Sequence, residues 1–200
     1  MRVKTDKKRN EIIMIAGTLF LEHGYGAVSM ATIAAAVGGS KGTLYGYFAS
    51  KEELFEAVVV KAGEQRWAEF IAFPERLGSI DETLKELGRR YLRFLLSKEI
   101  MSINRLVIAE ASRFPELGRI FYDNGPKSVI GVIAATLGSA MDHGELVRSE
   151  PTAEAWRFKA LCETRLFEQC LWGIRSTASE NEIMQNVEPA CDMFLARLRA

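Results

Sequence analysis

The sequence predicts an all-α protein, on three observations. Ser-x-x-Glu capping boxes recur at Ser50-Lys51-Glu52-Glu53, Ser79-Ile80-Asp81-Glu82 and Ser179-Glu180-Asn181-Glu182, each followed by apolar residues at helical spacing. In such a box the Ser hydroxyl accepts from an unpaired first-turn N–H while the Glu reaches back to the Ser N–H. Strand signals are nearly absent, because no Asn-Gly or Asp-Gly turn sits between runs of alternating β-branched residues. Gly and Pro breakers divide the chain into helix-sized pieces. With 48% hydrophobic and 26% charged residues over 200 positions, the chain has the balance of a globular protein. A chain of this length can bury roughly 70% of its unfolded surface without a disulfide or metal staple.

The first helix carries Ile12, Ile15, Ala16 and Leu19 as one apolar stripe. It ends at His23-Gly24-Tyr25-Gly26, where glycine supplies a left-handed cap. Ser29 is the expected N-cap of a short helix over 30–37. Gly38-Gly39 then turns the chain into a second short helix over 40–48. A longer helix runs over 51–73 and stops before Pro74. Further helices are expected over 80–97, 99–113, 115–124, 126–142, 152–176 and 180–199. Phe114-Pro115, Gly125-Pro126, His143-Gly144 and Glu150-Pro151 separate most of them.

Charge and cysteine usage exclude several classes. Lys plus Arg and Asp plus Glu both number 26, so the chain is neither polybasic nor polyacidic. Residues 1–50 hold Arg2, Lys4, Lys7, Lys8, Arg9 and Lys41 against Asp6, Glu11 and Glu22, a small basic excess at the N-terminus. Cys162, Cys170 and Cys191 are odd in number and late in the chain, unlike a secreted disulfide framework. His23 and His143 are far apart and no CxxC occurs, so no metal and no cofactor are expected. The basic start followed by an apolar stretch imitates a signal peptide, yet Glu11 and Glu22 bracket the stretch and no A-x-A follows. The uncharged run over 128–141 is too short to span a bilayer of about 30 Å. A cytoplasmic protein without a membrane segment is expected.

The stretch from Ser29 to Lys51, SMATIAAAVGGSKGTLYGYFASK, reads as two short helices joined by a glycine turn, a helix-turn-helix. Ile33, Ala34, Val37, Leu44 and Phe48 form the inward positions. The second helix presents Ser40, Lys41, Thr43, Tyr45 and Tyr47 outward. Hydroxyls and a lysine on one short helix suit phosphates and base edges.

The run from Asn10 to Leu54 resembles the DNA-binding domain of the TetR family of transcriptional regulators. Ile13, Ala16, Leu19-Phe20, Gly24-Tyr25, Ser29-Met30, Ile33-Ala34 and Val37-Gly38 carry the likeness. It continues through Ser40-Lys41-Gly42-Thr43-Leu44-Tyr45, Tyr47-Phe48, Ser50-Lys51 and Leu54. Arg105 to Ala111, with Phe114-Pro115-Glu116-Leu117 and Phe121-Tyr122, is similar to the AefR-like subgroup. The resemblance implies a homodimeric, ligand-released repressor whose heads enter successive major grooves of a palindromic double-stranded operator. It places Ser40, Lys41, Gly42, Thr43, Tyr45 and Tyr47 on the recognition helix. Met30 and Ala31 open the preceding helix towards DNA, and Lys51 contacts a phosphate. Gly39 and Gly46 depart from the larger residues usual at these positions. The arm of Arg2, Lys4, Lys7, Lys8 and Arg9 is either a solvated tail or a contact to the DNA backbone or minor groove.

The resemblance divides the chain into a DNA-binding domain over 1–54 and a ligand-binding and dimerisation domain over 55–200. Trp67, Phe70, Phe73, Phe94, Met101 and Phe121 are candidates to line an apolar effector site, and Arg105 or Glu110 to orient one polar group of a small, mostly apolar ligand. Plain core is the alternative for the aromatic residues, and a surface pair for the two charged ones. Trp156, Leu161, Leu166, Phe167, Cys170, Leu171 and Trp172, with Val187, Cys191, Phe194, Leu195 and Leu198, give the last two helices broad apolar faces, expected to pair with a second chain. GxSxG, HExxH and phosphate-cradling glycine loops are missing, so no enzyme is expected. A helical ligand-binding protein without DNA binding, or an all-α enzyme using Glu110, are the competing readings.

Overall fold

The computed structural model describes residues 5–72 and 77–199. Arg2, Lys4 and Phe73 therefore lie outside the described residues. The described chain folds as α1 (Asp6–His23), α2 (Met30–Ala36), α3 (Lys41–Tyr47), α4 (Lys51–Ile71), α5 (Ile80–Leu95), α6 (Lys98–Glu110), α7 (Pro115–Asn124), α8 (Pro126–Asp142), α9 (Pro151–Glu163), α10 (Leu166–Leu171) and α11 (Glu180–Leu198). No strand occurs among the described residues, only a single antiparallel bridge between Leu146 and Arg199. No described helix is long and apolar enough to cross a membrane.

Packing divides the chain into two compact units. The first holds the described residues up to Gly63 together with Ser102–Asn124. Its core joins Ile12, Ala16, Phe20, Tyr25, Ile33, Leu44, Phe48, Leu54 and Phe55 to Ile103, Leu106, Val107 and Leu117. Packing thus does not divide at Leu54: Phe55, Val58 and Val59 are as deeply committed to this core as the short helices are. The second unit holds Glu64–Met101 and Gly125 onward. Its core gathers Phe70, Leu84, Leu87, Tyr91, Ile133, Leu137, Phe158, Cys162, Val187, Cys191 and Phe194.

Two expectations need correction. Lys7, Lys8 and Arg9 are not an arm but the first turn of α1, where the Thr5 hydroxyl accepts from the Lys8 amide at 3.3 Å. Further on, the helix expected over 152–176 breaks in two. Thr164 turns to an extended ψ of 135° and Arg165 takes a left-handed φ of 63°. Asn186 of α11 donates to the Cys162 carbonyl at 2.8 Å, just before the break. The break contains no Gly or Pro, so nothing local announced it. Leu166 and Cys170 after it still reach the core, as does Cys162 before it.

Candidate nucleic-acid interface

Each short helix is started by a hydroxyl. Ser29 accepts from the Thr32 amide at 3.1 Å, and Ser40 from the Thr43 amide at 3.1 Å. Both serines also pair with the threonine hydroxyl, at 2.9 and 3.0 Å. Gly38, at φ 69°, makes the turn between the helices, where a side chain would be strained. Gly39 needs no such freedom, since an added Cβ would meet only Thr43 at 3.9 Å.

A groove of about 520 Å³ opens where α2, α3 and α4 begin, lined by Ser29, Met30, Ala31, Lys41, Tyr45, Ala49, Ser50, Lys51 and Glu52. Lys41 and Gly42 are exposed, Thr43 is half-buried, and Tyr45 is 51% exposed. That fraction rules out Tyr45 as a packing aromatic of the core. Met30 is buried at 8% exposure and packs in the first core, although it also borders the groove. The Tyr47 hydroxyl accepts from the Thr5 amide at 3.2 Å, which ties the end of α3 to the start of α1.

Lys51 is placed differently from an exposed phosphate ligand. Its ammonium donates to the carbonyls of Tyr25 and Val28 at 3.0 and 3.1 Å and lies 4.0 Å from the Tyr25 ring centroid. Burial pulls its pKa below the ordinary lysine value, against the opposing pull of Glu52, Glu110 and Glu116. Glu52 accepts from the Tyr25 hydroxyl at 3.1 Å. Its own amide and the Ser50 hydroxyl hold its carboxyl below the usual carboxylate range. Burial and then Glu52 push the Tyr25 hydroxyl well above its ordinary pKa.

The expected effector residues are split between the two units. Trp67, Phe70 and Phe94 do come together, with ring centroids 5.5, 5.9 and 6.0 Å apart, and Met101 is buried in the same core. Beside Phe70 and Phe94 lies a groove of about 390 Å³ edged by Arg66, Glu69, Arg90 and Arg93, the arginines pairing with Glu69, Glu86 and Glu180 respectively. Sequence reasoning missed these arginines, although Arg90 and Arg93 share α5 with Phe94. Arg105, Glu110 and Phe121 belong to the first unit instead. Glu110 accepts from the Gly26 amide at 3.4 Å, and Phe121 packs on the first core. The Gly24-Tyr25-Gly26 turn is shaped for that approach. Gly24 has φ 81°, and a Cβ at Gly26 would come within 2.9 Å of the Phe114 ring.

The apolar residues expected at an interface between chains are likewise divided. Leu166, Cys170, Val187, Cys191, Phe194, Leu195 and Leu198 are consumed by the second unit's own core. Trp156 and Trp172 remain exposed, joined by Ile174 and Met193 from outside the expected set, while Leu161, Phe167 and Leu171 are partly buried. Among the described residues no group of His, Cys, Asp or Glu could hold a metal ion.

Comparison with known proteins agrees with the helix-turn-helix geometry. Residues 12–58 match the model for bacterial regulatory proteins of the tetR family, and residues 82–200 match the C-terminal domain of AefR-like transcriptional repressors. The solved structure of the flavonoid-responsive regulator FrrA is 32% identical, covers 98% of both chains and superposes with a TM-score of 0.85. An uncharacterised helix-turn-helix regulator of Mycobacterium bovis is 28% identical over 152 residues, 74% of this chain and 70% of its own. The transcriptional activator FasR of Mycolicibacterium smegmatis is 40% identical over 58 residues, 29% of this chain and 26% of its own. Two family models that together take in the short-helix pair and most of the helices after it leave one assignment: the chain belongs to the TetR family of DNA-binding transcriptional regulators, with an AefR-like C-terminal domain.

Proposed function

We propose that this regulator is a repressor that sits as a homodimer on a palindromic operator and leaves it when a small effector binds. The observation that carries the reading is the groove where three helices begin, with Lys41 and Tyr45 exposed on α3 and the Ser40 and Thr43 hydroxyls beside them. In this reading Ser40, Lys41, Gly42, Thr43, Tyr45 and Tyr47 meet bases and phosphates, Met30 and Ala31 present backbone amides, and Lys51 completes the groove wall. Residues 1–54 supply the DNA contacts, and residues 55–200 supply effector binding and dimerisation, in the cytoplasm. Regulators of this family bind operator DNA and small ligands and are dimeric. The AefR-like domain favours repression, and FasR is the relative that argues for activation.

The exposed Trp156 of α9, Trp172 and Ile174 of the turn after α10, and Met193 of α11 support dimerisation there. The Trp67–Phe70–Phe94 cluster with its arginine rim supports an effector that is mostly apolar, aromatic and polar at one edge. Similarity to FrrA makes flavonoids the first compounds to try.

The test is titration of labelled duplex from the promoter of its own gene, over about 50 to 300 mM salt, with flavonoids added at saturation. Binding is expected to weaken as salt rises, with a log–log slope of roughly −0.9 per phosphate neutralised. Salt-independent or absent binding overturns the DNA reading. Compounds that release DNA equally well from wild type, Phe70→Ala and Phe94→Ala place the effector elsewhere.

A further inference from the structure

Helix α2 is held at both ends by ammonium groups from two other helices. At its start, Lys51 of α4 donates to the carbonyls of Tyr25 and Val28, the latter one residue before the N-cap Ser29. At its end, Lys8 of α1 donates to the carbonyl of the C-cap residue Val37 at 3.1 Å, while paired with Glu11 at 3.0 Å. We propose that Lys8 and Lys51 are positioning residues for operator recognition: they fix both ends of α2, and so the entry to α3, without serving as phosphate ligands.

The seven residues of α2 cannot hold themselves. Isolated helices much shorter than about 12 residues are marginal in water, because nucleation costs more than two turns of hydrogen bonds return. Met30, Ile33 and Ala34 bury one face, which fixes the helix against the core but does little to fix it along its own axis. The two lysines supply that axial restraint.

Electrostatics distinguish a built clamp from chance proximity. A cation at the carbonyl end of a helix is favourable, as Lys8 is at Val37. Near the opposite end it is unfavourable, and there Lys51 is compensated by two carbonyls and the face of the Tyr25 ring. An ammonium has three donors, and two of those of Lys51 are already directed at main-chain oxygens. The first turn of α1 reaches α3 as well: the Thr5 amide bonds the Tyr47 hydroxyl, and the Arg9 guanidinium lies 5.0 Å from the Phe48 ring centroid. Basic residues that look from the sequence like a DNA-contacting arm thus hold the frame of the reading head.

The inference rests on DNA binding by the family, and salt dependence separates it from a phosphate contact. The full-length protein is titrated with two duplexes: the one that wild type enriches from a randomised library, and a scrambled one. Lys8→Met and Lys51→Met are each expected to weaken the enriched duplex by about tenfold or more while changing the scrambled one by less than about threefold. The log–log salt slopes are expected to stay at the wild-type value. Equal losses on both duplexes, with the slope reduced by about 1 for each contact removed, would identify phosphate ligands and overturn the proposal. Unchanged affinity on both duplexes overturns it too. Lys51→Arg keeps the charge and can stack on Tyr25, but its rigid planar fork replaces the compact ammonium that donates to the Tyr25 and Val28 carbonyls at 3.0 and 3.1 Å from above the ring. It is expected to lose discrimination, and full discrimination by a folded Lys51→Arg protein refutes the clamp even if Lys51→Met does not fold. A wild-type protein that enriches no duplex defeats the operator reading itself, and the proposal with it.

Discussion

Gly46 lies in the last turn of α3, and a Cβ built there would meet nothing within 4 Å. Nothing inside the protein therefore requires glycine, which costs a helix interior about 1 kcal/mol relative to alanine. Gly46→Ala is expected to raise stability by about 0.5–1 kcal/mol in a denaturant melt. If the bare backbone is there to approach DNA closely, operator affinity falls in the same variant; unchanged affinity rejects that role. Gly26 is the opposite case. Gly26→Ala drives a Cβ to 2.9 Å from the Phe114 ring, and overpacking of this kind costs about 1–3 kcal/mol. Adding Phe114→Leu is expected to restore part of the loss, which a thermal melt of both variants measures. At this scale the sequence identified the glycines of the α1–α2 turn but not what they make room for. Glu110 is 84 residues from Gly26, and its carboxylate was readable only as a carboxylate.

The capping boxes show how far local signals carry at the level of helices. Ser79 with Glu82 and Ser179 with Glu182 form the full reciprocal box. Ser50 caps the Glu53 amide at 3.1 Å, yet the Glu53 carboxylate bonds the Ala49 amide instead. At α11 the box is reinforced by Arg175, 2.5 Å from Glu182. Arg175, and then the Ser179 amide, hold the Glu182 carboxyl down to about 2, from an unfolded value of 4.5. A depressed acid pKa contributes stability that is fully present above the unfolded value and is lost as pH falls through the folded one. The stability gap between wild type and Glu182→Gln is therefore expected to be widest above about pH 5 and to close towards pH 2, in urea melts across that range. A gap independent of pH would mean that the carboxylate charge is not what caps α11. The α9–α10 break is the converse lesson. Arg165 at φ 63° bears the strain of a left-handed residue, so Arg165→Gly is expected to stabilise by about 1 kcal/mol.

For the proposed dimer, the surface to test is the apolar one left outside the second unit's core. Trp172 and Ile174 are 68% and 69% exposed, too much for side chains of that size to be part of a finished monomer core. Trp172→Glu with Ile174→Glu is expected to give a monomer in sedimentation velocity and to weaken operator binding by about a hundredfold or more, because two linked heads bind with avidity. A dimer that survives both changes moves the interface elsewhere. The sequence by itself determined the helical class, the helix-turn-helix at 29–51, most helix starts and the family. Those signals are caps, breakers and apolar periods that act within a few residues of chain. Tertiary structure alone decided that 102–124 packs with the N-terminal helices, that Lys8 and Lys51 bind main-chain carbonyls, and that α9 stops at Glu163. It also decided which apolar residues of α10 and α11 are spent inside. A side chain's chemistry limits the partners it can take, but partners tens of residues away are chosen only when packing brings one of them within bonding distance.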